Sequence, residues 1–458
     1  MSRERNHRLA AVMAEAGASN KGLARRVRDI AALRGVHVGT THVAVQRWLD
    51  GGGIQPQTAV FLADALSEKT GRRITPTDIG FPGMKSGSPS SVARIGYARS
   101  LPEALEQLNG LTQLRPEDEQ AGADLLPEGD VNAAVLSWLV SRPDGFTSEA
   151  SQGRRVGMRD VAAIRTAADM FMHLDFKFGG GHGHKALRHY FREDVLPLLN
   201  GSYSSRVGKA LYEAAAETAQ LLAWTAYDTG NHSIANRYMV ATLRLTQVID
   251  DRTMGARILT NMSHQANYLG QVPRAVQLAR ASLEGGRGTA TPRAMALFAA
   301  HEARALSTAQ DHKGAARAMN EAERYFERAD SGDDPDWLAY MDEAELVGEF
   351  CHCFRDLRRG DEAVRYAERA VALTDPKYAR TVGFCRMVLA GSQLLNGDLE
   401  AAVHTASLAV EDGDALQSAR FVRYVTDFQD QASPYGGPAV QRFNEQVRDA
   451  LAELDDEE

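Results

Sequence analysis

Cysteine is scarce: the 458 residues include only Cys351, Cys353 and Cys385. Three thiols build no disulfide framework and suit a reducing compartment, so a cytoplasmic location is expected. Long apolar runs are missing too. No stretch approaches the ~20 residues that a membrane helix requires. The N-terminus, MSRERNHRLAAVMAEAG, has charges but no apolar core, which argues against a signal peptide. Catalytic signatures are also lacking. No Gly-x-Ser-x-Gly, Walker loop, His-Glu-x-x-His or paired-carboxylate pattern stands out, so no enzyme activity and no cofactor are expected. A hydrophobic content of 44% with 24% charged residues excludes a disordered chain.

What is present is unevenly placed. The net charge is −8, yet residues 1–80 hold 12 Lys/Arg against 7 Asp/Glu. A basic head on an acidic body fits one DNA-contacting module beside a body repelled from phosphates. Within the head, TTHVAVQRWLDG (residues 40–51) reads as a short helix. Thr40 or Thr41 can cap its start, and Gly51 to Gly53 can supply the left-handed residue that ends it. Val45, Trp48 and Leu49 share an apolar face. The opposite face carries Thr41, His42, Gln46 and Arg47, groups that reach base edges and phosphates. Three more helices surround it. Residues 6–17 bring Leu9, Val12, Met13 and Ala16 to one face. The next, capped from Ser19 or Asn20, runs through Leu23, Ala24, Val27 and Ile30, with Arg25, Arg26 and Arg28 outside. The last starts at Pro56.

GASNKGLARRV, VAVQRWLDGG and PQTAVFLADALSEKTG together resemble the Cro and phage-repressor type of helix-turn-helix domain, across about residues 5–80. The sequence departs from that family by extra residues around positions 29–38. The resemblance implies that the 41–50 helix enters the major groove of a double-stranded DNA operator. Thr41, His42 and Gln46 would then read bases while Arg47, Arg25 and Lys21 hold phosphates.

Residues 81–91, FPGMKSGSPSS, are a Gly/Ser/Pro-rich stretch expected to link head and body flexibly. Residues 92–208 read as an irregular helical region. Its apolar faces are expected at Leu101, Leu105 and Leu108, then Val131, Val135, Trp138 and Leu139, then Val161, Ile164, Ala168, Phe171 and Met172.

Residues 209–412 repeat. Turns align at Gly230, Gly270, Gln310, Arg358 and Gly397. Five residues after each turn stand Ala235, Ala275, Ala315, Ala363 and Ala402. Seven before each stand Ala223, Ser263, Ala303, Cys351 and Ala390. Small residues at both places let antiparallel helices approach closely, as in tetratricopeptide repeats, and predict an α-solenoid. Residues 413–458 read as two capping helices and an acidic tail. The fold class is therefore all-α, a helix-turn-helix head on a helical-repeat body.

Three further features invite chemistry. First helices line the inner wall of such a solenoid, so Trp224, Tyr227, Asn261, His264 and Tyr268 are candidates for an effector groove, or else ordinary core and solvated residues. FGGGHGH (178–184) offers His182 and His184 as weak metal candidates, or glycines that cradle an anion before a helix near Lys185. The plainer reading is a flexible loop. Cys351 and Cys353 point about 200° apart on a helix, which suits packing and not joint metal ligation.

QRWLDGG, TPTDIGF, FGGGHGH, LAWTAYDTGNH, NMSHQANYLG and ATPRAMALFAAHEARAL also resemble a larger family, the actinobacterial (Streptomyces-type) helix-turn-helix/tetratricopeptide regulators of sporulation and antibiotic production. This implies a transcriptional regulator, often a repressor of differentiation. Its body would dimerise and sense a peptide, small molecule or protein. A protein-interaction scaffold without DNA binding is the competing reading.

Overall fold

The computed structural model describes residues 5–33, 38, 40–70, 74, 76–81, 96–114, 125–141, 153–413 and 417–456. Among them the chain is all-α, with one isolated bridge between Arg155 and Ser202 as the only extended pairing. It divides into two compact units, Met1–Arg94 and Ile95–Glu458. Apart from Phe81, the expected 81–91 linker lies outside the described residues.

The head holds four helices: α1 (His7–Glu15), α2 (Asn20–Leu33), α3 (His42–Leu49) and α4 (Pro56–Thr70). Leu9, Leu23, Val27, Val45, Trp48, Leu62 and Leu66 form their shared core. Each such large side chain contributes about 1.5–3 kcal/mol of burial. Asn6 closes the unit at three points. Its side chain caps α1 at Leu9 N–H, its N–H donates to Leu49 O at 2.8 Å, and its Nδ2 donates to Ile79 O at 2.9 Å. The 76–81 segment is thereby folded back onto α1. The extra residues between the second and third helices partly lengthen α2, which runs on to Leu33; residues 34–37 and 39 lie outside the described set.

The body opens with α5 (Leu101–Thr112), α6 (Glu128–Val140), α7 (Met158–Phe178) and α8 (Gly180–Tyr190). A π turn, Phe191–Val195, carries α8 into the short α9 (Leu196–Leu199). The buried face of α5 is Ala104, Leu108 and Leu111, a register shifted from the expected Leu101 and Leu105, which are half-buried. Leu111 lies two turns on from Ala104, so the face is anchored by an alanine that a search for leucines overlooks. On α6, Val131 and Trp138 are buried as expected, but Ala134 replaces Val135 in the core.

Five helical hairpins follow: α10 (Ser205–Asp228) with α11 (His232–Val248), α12 (Arg252–Tyr268) with α13 (Val272–Gly286), α14 (Pro292–Thr308) with α15 (His312–Glu327), α16 (Glu343–Asp356) with α17 (Gly360–Leu373), and α18 (Ala379–Leu395) with α19 (Leu399–Asp412). The aligned turn residues all adopt a left-handed backbone: Gly230, Gly270, Gln310, Arg358 and Gly397 have φ of 84°, 73°, 59°, 57° and 82°. The next residue then donates five positions back in every case. Asn231 to Ala226 O is 2.8 Å, and Asp398 to Gln393 O is 3.0 Å. This is the Schellman closure of a helix. All five alanines that follow the turns, and the five small residues that precede them, are buried. The interval of 48 between Gln310 and Arg358 comes from an insertion before α16, which packs Trp337, Leu338 and Met341 inward. Last come α20 (Ala419–Ala432) and α21 (Gly437–Asp456).

Candidate functional site

In the head, α3 presents the face read from sequence. Val45, Trp48 and Leu49 are buried, while Thr41, His42, Gln46 and Arg47 are exposed, as are Lys21 and Arg25 on α2. Thr41, not Thr40, is the cap, accepting from Ala44 N–H at 3.3 Å. Thr40 is buried, and its carbonyl accepts from Arg28. Gln46 joins two elements. It accepts from Asn20 Nδ2 at 2.9 Å and donates to Asp50 Oδ1 at 3.1 Å, which fixes α3 to the start of α2. Arg47 reaches Gly53 O at 3.4 Å. Gly51, with φ 80°, turns the chain out of α3, and a Cβ on Gly52 would meet Arg47 O at 2.6 Å. Val43, 63% exposed beside the polar residues, adds an apolar group to this face. It lies off the Val45–Trp48–Leu49 stripe, which is the signal in the sequence for its exposure.

The SP15 N-terminal domain family model matches residues 9–82. That span covers the head from α1 onward and ends just past the segment that closes it. No curated protein matches the chain.

In the body, the five groove candidates part company. Tyr227 is fully buried and Trp224 half-buried. His264 and Asn261 are buried, and Tyr268 is half-buried. Tyr227 OH and His264 Nδ1 lie 2.8 Å apart, and the Tyr227 ring meets Trp224 and Tyr268 edge-on. What covers this aromatic wall is α20. Arg420 enters the interior, reaches Asp228 Oδ1 at 3.3 Å, and lies over the rings of Tyr227 (4.7 Å), Phe384 (5.0 Å) and Trp224 (5.2 Å). Arg423 lies 4.4 Å over Tyr268. Tyr424 accepts from Arg304 at 3.2 Å and packs on His352 and Phe384. Thus α20 touches the first helix of all five hairpins.

FGGGHGH is not a loop. The helix α8 starts at Gly180, not near Lys185. The glycines provide clearance. A Cβ on Gly180 would meet Thr225 O at 2.8 Å, and one on Gly181 would meet Gln417 O at 2.9 Å. Gly181 N–H donates to Gln417 O, and Gln417 N–H to Phe178 O, each at 2.9 Å. Gly180 N–H donates to buried Asp228 Oδ2 at 2.9 Å. The segment therefore clamps the approach to α20. His184 Nδ1 lies 2.8 Å from Thr225 Oγ1, and burial pushes its pKa down to about 4. His182 stacks on Phe178. No group of three metal-ligating residues occurs among the described residues. Cys351 and Cys353 are both buried.

Asp228 belongs to an interior ion network. Arg380 bridges Asp228 and Asp175, each at 2.9 Å. Beside it, α20 and the first helices of the second to fifth hairpins line an open cavity of about 550 Å³. From α12 come His264, Asn267 and Tyr268, and from α14 Arg304 and Thr308. The third and fourth hairpin turns add Gln310 and Arg358, preceded in α16 by Arg355 and Asp356. Met387, Gly391 and Leu395 of α18 and Arg423, Tyr424, Asp427, Phe428 and Gln431 of α20 complete the wall. Of the candidates named from sequence, His264 and Tyr268 reach this cavity. Its arginines were missed, because nothing in a single helix says which residues of five hairpins converge. Behind the wall, Arg304 gives Nη1 to both oxygens of Glu349, at 2.9 and 3.1 Å. Against its burial, Glu349 is held low by Arg304, whereas burial and the Glu349 charge push Glu345 up to about 8. Burial, then Arg304, push His264 and His352 well below the ordinary histidine range.

Among the described residues no helix is long and apolar enough to cross a membrane.

Proposed function

We propose that this chain is a DNA-binding transcriptional regulator that acts as a homodimer at a double-stranded operator, with a body that senses an effector. The observation that carries the reading is the exposed Thr41–His42–Gln46–Arg47 face on an apolar-docked helix, flanked by exposed Lys21 and Arg25. Such a face is what direct readout needs: amide and hydroxyl groups for base edges, cations beside them for phosphates. The resemblance to the actinobacterial family further suggests a cytoplasmic repressor of differentiation, acting on sporulation and antibiotic production.

Genome-wide occupancy of the tagged chain tests this, beside a variant carrying Arg47→Ala and Gln46→Ala. Discrete peaks sharing a two-fold symmetric motif, lost in the variant, are expected. In vitro, Arg47→Ala alone should weaken binding across sequences and lower the salt slope by about one phosphate contact. Gln46→Ala should relax preference at one base position by about 1–3 kcal/mol. Absence of enriched sites through several growth stages would favour a scaffold. That alternative draws on the helical repeats, but its usual docking wall is covered here by α20.

A further inference from the structure

The cavity has one guanidinium more than the carboxylates that answer its arginines. Four guanidiniums line it, Arg304, Arg355, Arg358 and Arg423, against the carboxylates Asp356 and Asp427. Three of the four have partners. Arg304 is held by Glu349 and Tyr424. Arg355 lies 2.8 Å from Asp356, and Arg423 reaches Tyr268 O at 3.2 Å and Asp427 at 3.6 Å. The Arg358 side chain is exposed and has no ion pair or hydrogen bond among the described residues.

Arg358 is unusual in its backbone as well. It occupies one of five equivalent left-handed turns, three of which are glycine. The other exception, Gln310, uses its side chain to join hairpins, donating to Asp356 O at 2.7 Å. Arg358 has no comparable internal contact. At the open edge of the cavity this exposed cation is the one guanidinium of the lining that no protein group occupies, and it is free to meet an anion. The remaining wall explains what kind. Met387, Leu395 and Phe428 are apolar, and Tyr268 and Tyr424 offer ring faces. The volume suits a small molecule, typical ligand pockets being about 300–1,000 Å³. An extended peptide would have to displace α20, whose Arg420 is bound in the interior.

We propose that this cavity binds a small organic acid, a carboxylate or phosphate carried on an apolar or aromatic body. Arg358 and Arg423 take the anion at the rim, and the apolar part lies between Tyr268, Met387 and Phe428. The neighbouring histidines do not supply the charge, since His264 and His352 are kept neutral by burial and by Arg304. Because Arg423 and Phe428 belong to α20, the ligand would tighten α20 against the hairpins. This names the effector class of the regulator reading and takes its biological meaning from it.

Titration calorimetry on the full chain provides the test, with 2-naphthoate and phenyl phosphate as acid probes and 2-naphthamide as the neutral control. At least one acid should bind saturably, and 2-naphthamide about tenfold or more weaker than 2-naphthoate, as expected for loss of a charge-assisted contact. Arg358→Gly and Arg423→Gln should each weaken acid binding about five- to tenfold. Arg358→Gly also eases the turn, so misfolding would not explain its effect. Equal binding of amide and acid, or unchanged affinity in both variants, would overturn the proposal. So would absence of saturable binding by either acid up to about 10 mM, beyond which affinity is negligible. A chain that binds the acids but occupies no DNA would keep the cavity and lose the regulator reading; the reverse result would do the opposite.

Discussion

Replacing Arg420 with methionine should release α20 from the wall it covers. Methionine keeps the aliphatic packing of the stem and removes the guanidinium, so the loss reports on charge and ring contacts. In the native chain two arginines, Arg380 and Arg420, face two buried carboxylates, Asp175 and Asp228. Breaking one partner from a buried pair costs about 3–5 kcal/mol. Asp228 would keep Arg380 at 2.9 Å and the Gly180 N–H, which places the loss at the low end, about 3 kcal/mol. The stacking on Trp224, Tyr227 and Phe384 adds about 1 kcal/mol. Urea unfolding should therefore show a loss of about 3–4 kcal/mol. Amide exchange across residues 419–432 should rise more than in α12 or α14. A loss under about 1 kcal/mol with unchanged exchange in α20 would refute the idea that this arginine pins the helix.

Gly180→Ala should destabilise the body by about 1–3 kcal/mol in thermal or urea unfolding, although alanine is the better helix former, because the new methyl would press on Thr225 O; a stabilised variant would mean that the clearance is not needed. Glu217 gives a pH test. Burial pushes its pKa up to about 7 from 4.5, so between those values the folded chain holds a proton that the unfolded chain has lost, and stability falls as pH rises through that window. Glu217→Gln should flatten this slope, removing up to about 3 kcal/mol of variation between roughly pH 4.5 and 7, measured by urea unfolding across pH.

Much of the architecture was legible because it is local. Three of the five aligned turns show their left-handed backbone as glycine, the flanking small residues place Gln310 and Arg358 in the same phase, and the helices of the head rest on apolar spacing around Leu23, Val45 and Trp48. Faces that rest on alanine were harder to read, as in α5, where Ala104 carries the core contact. FGGGHGH misled for a related reason. Three glycines suggest a flexible loop when read alone, and only their neighbours, Thr225 and Gln417, explain why a helix needs them.

The sequence by itself determined the all-α class, the basic head with its exposed α3 face, and the phase of the five hairpins. Periodicity, caps and small residues act within about one helical turn or one hairpin, and a linear pattern records them. Tertiary structure decided where α20 lies, which arginines share a cavity, and why Asp228 is buried. Those outcomes join residues up to 205 positions apart, such as Asp175 and Arg380, through ion pairs inside a low-dielectric interior. No local pattern encodes which charge meets which.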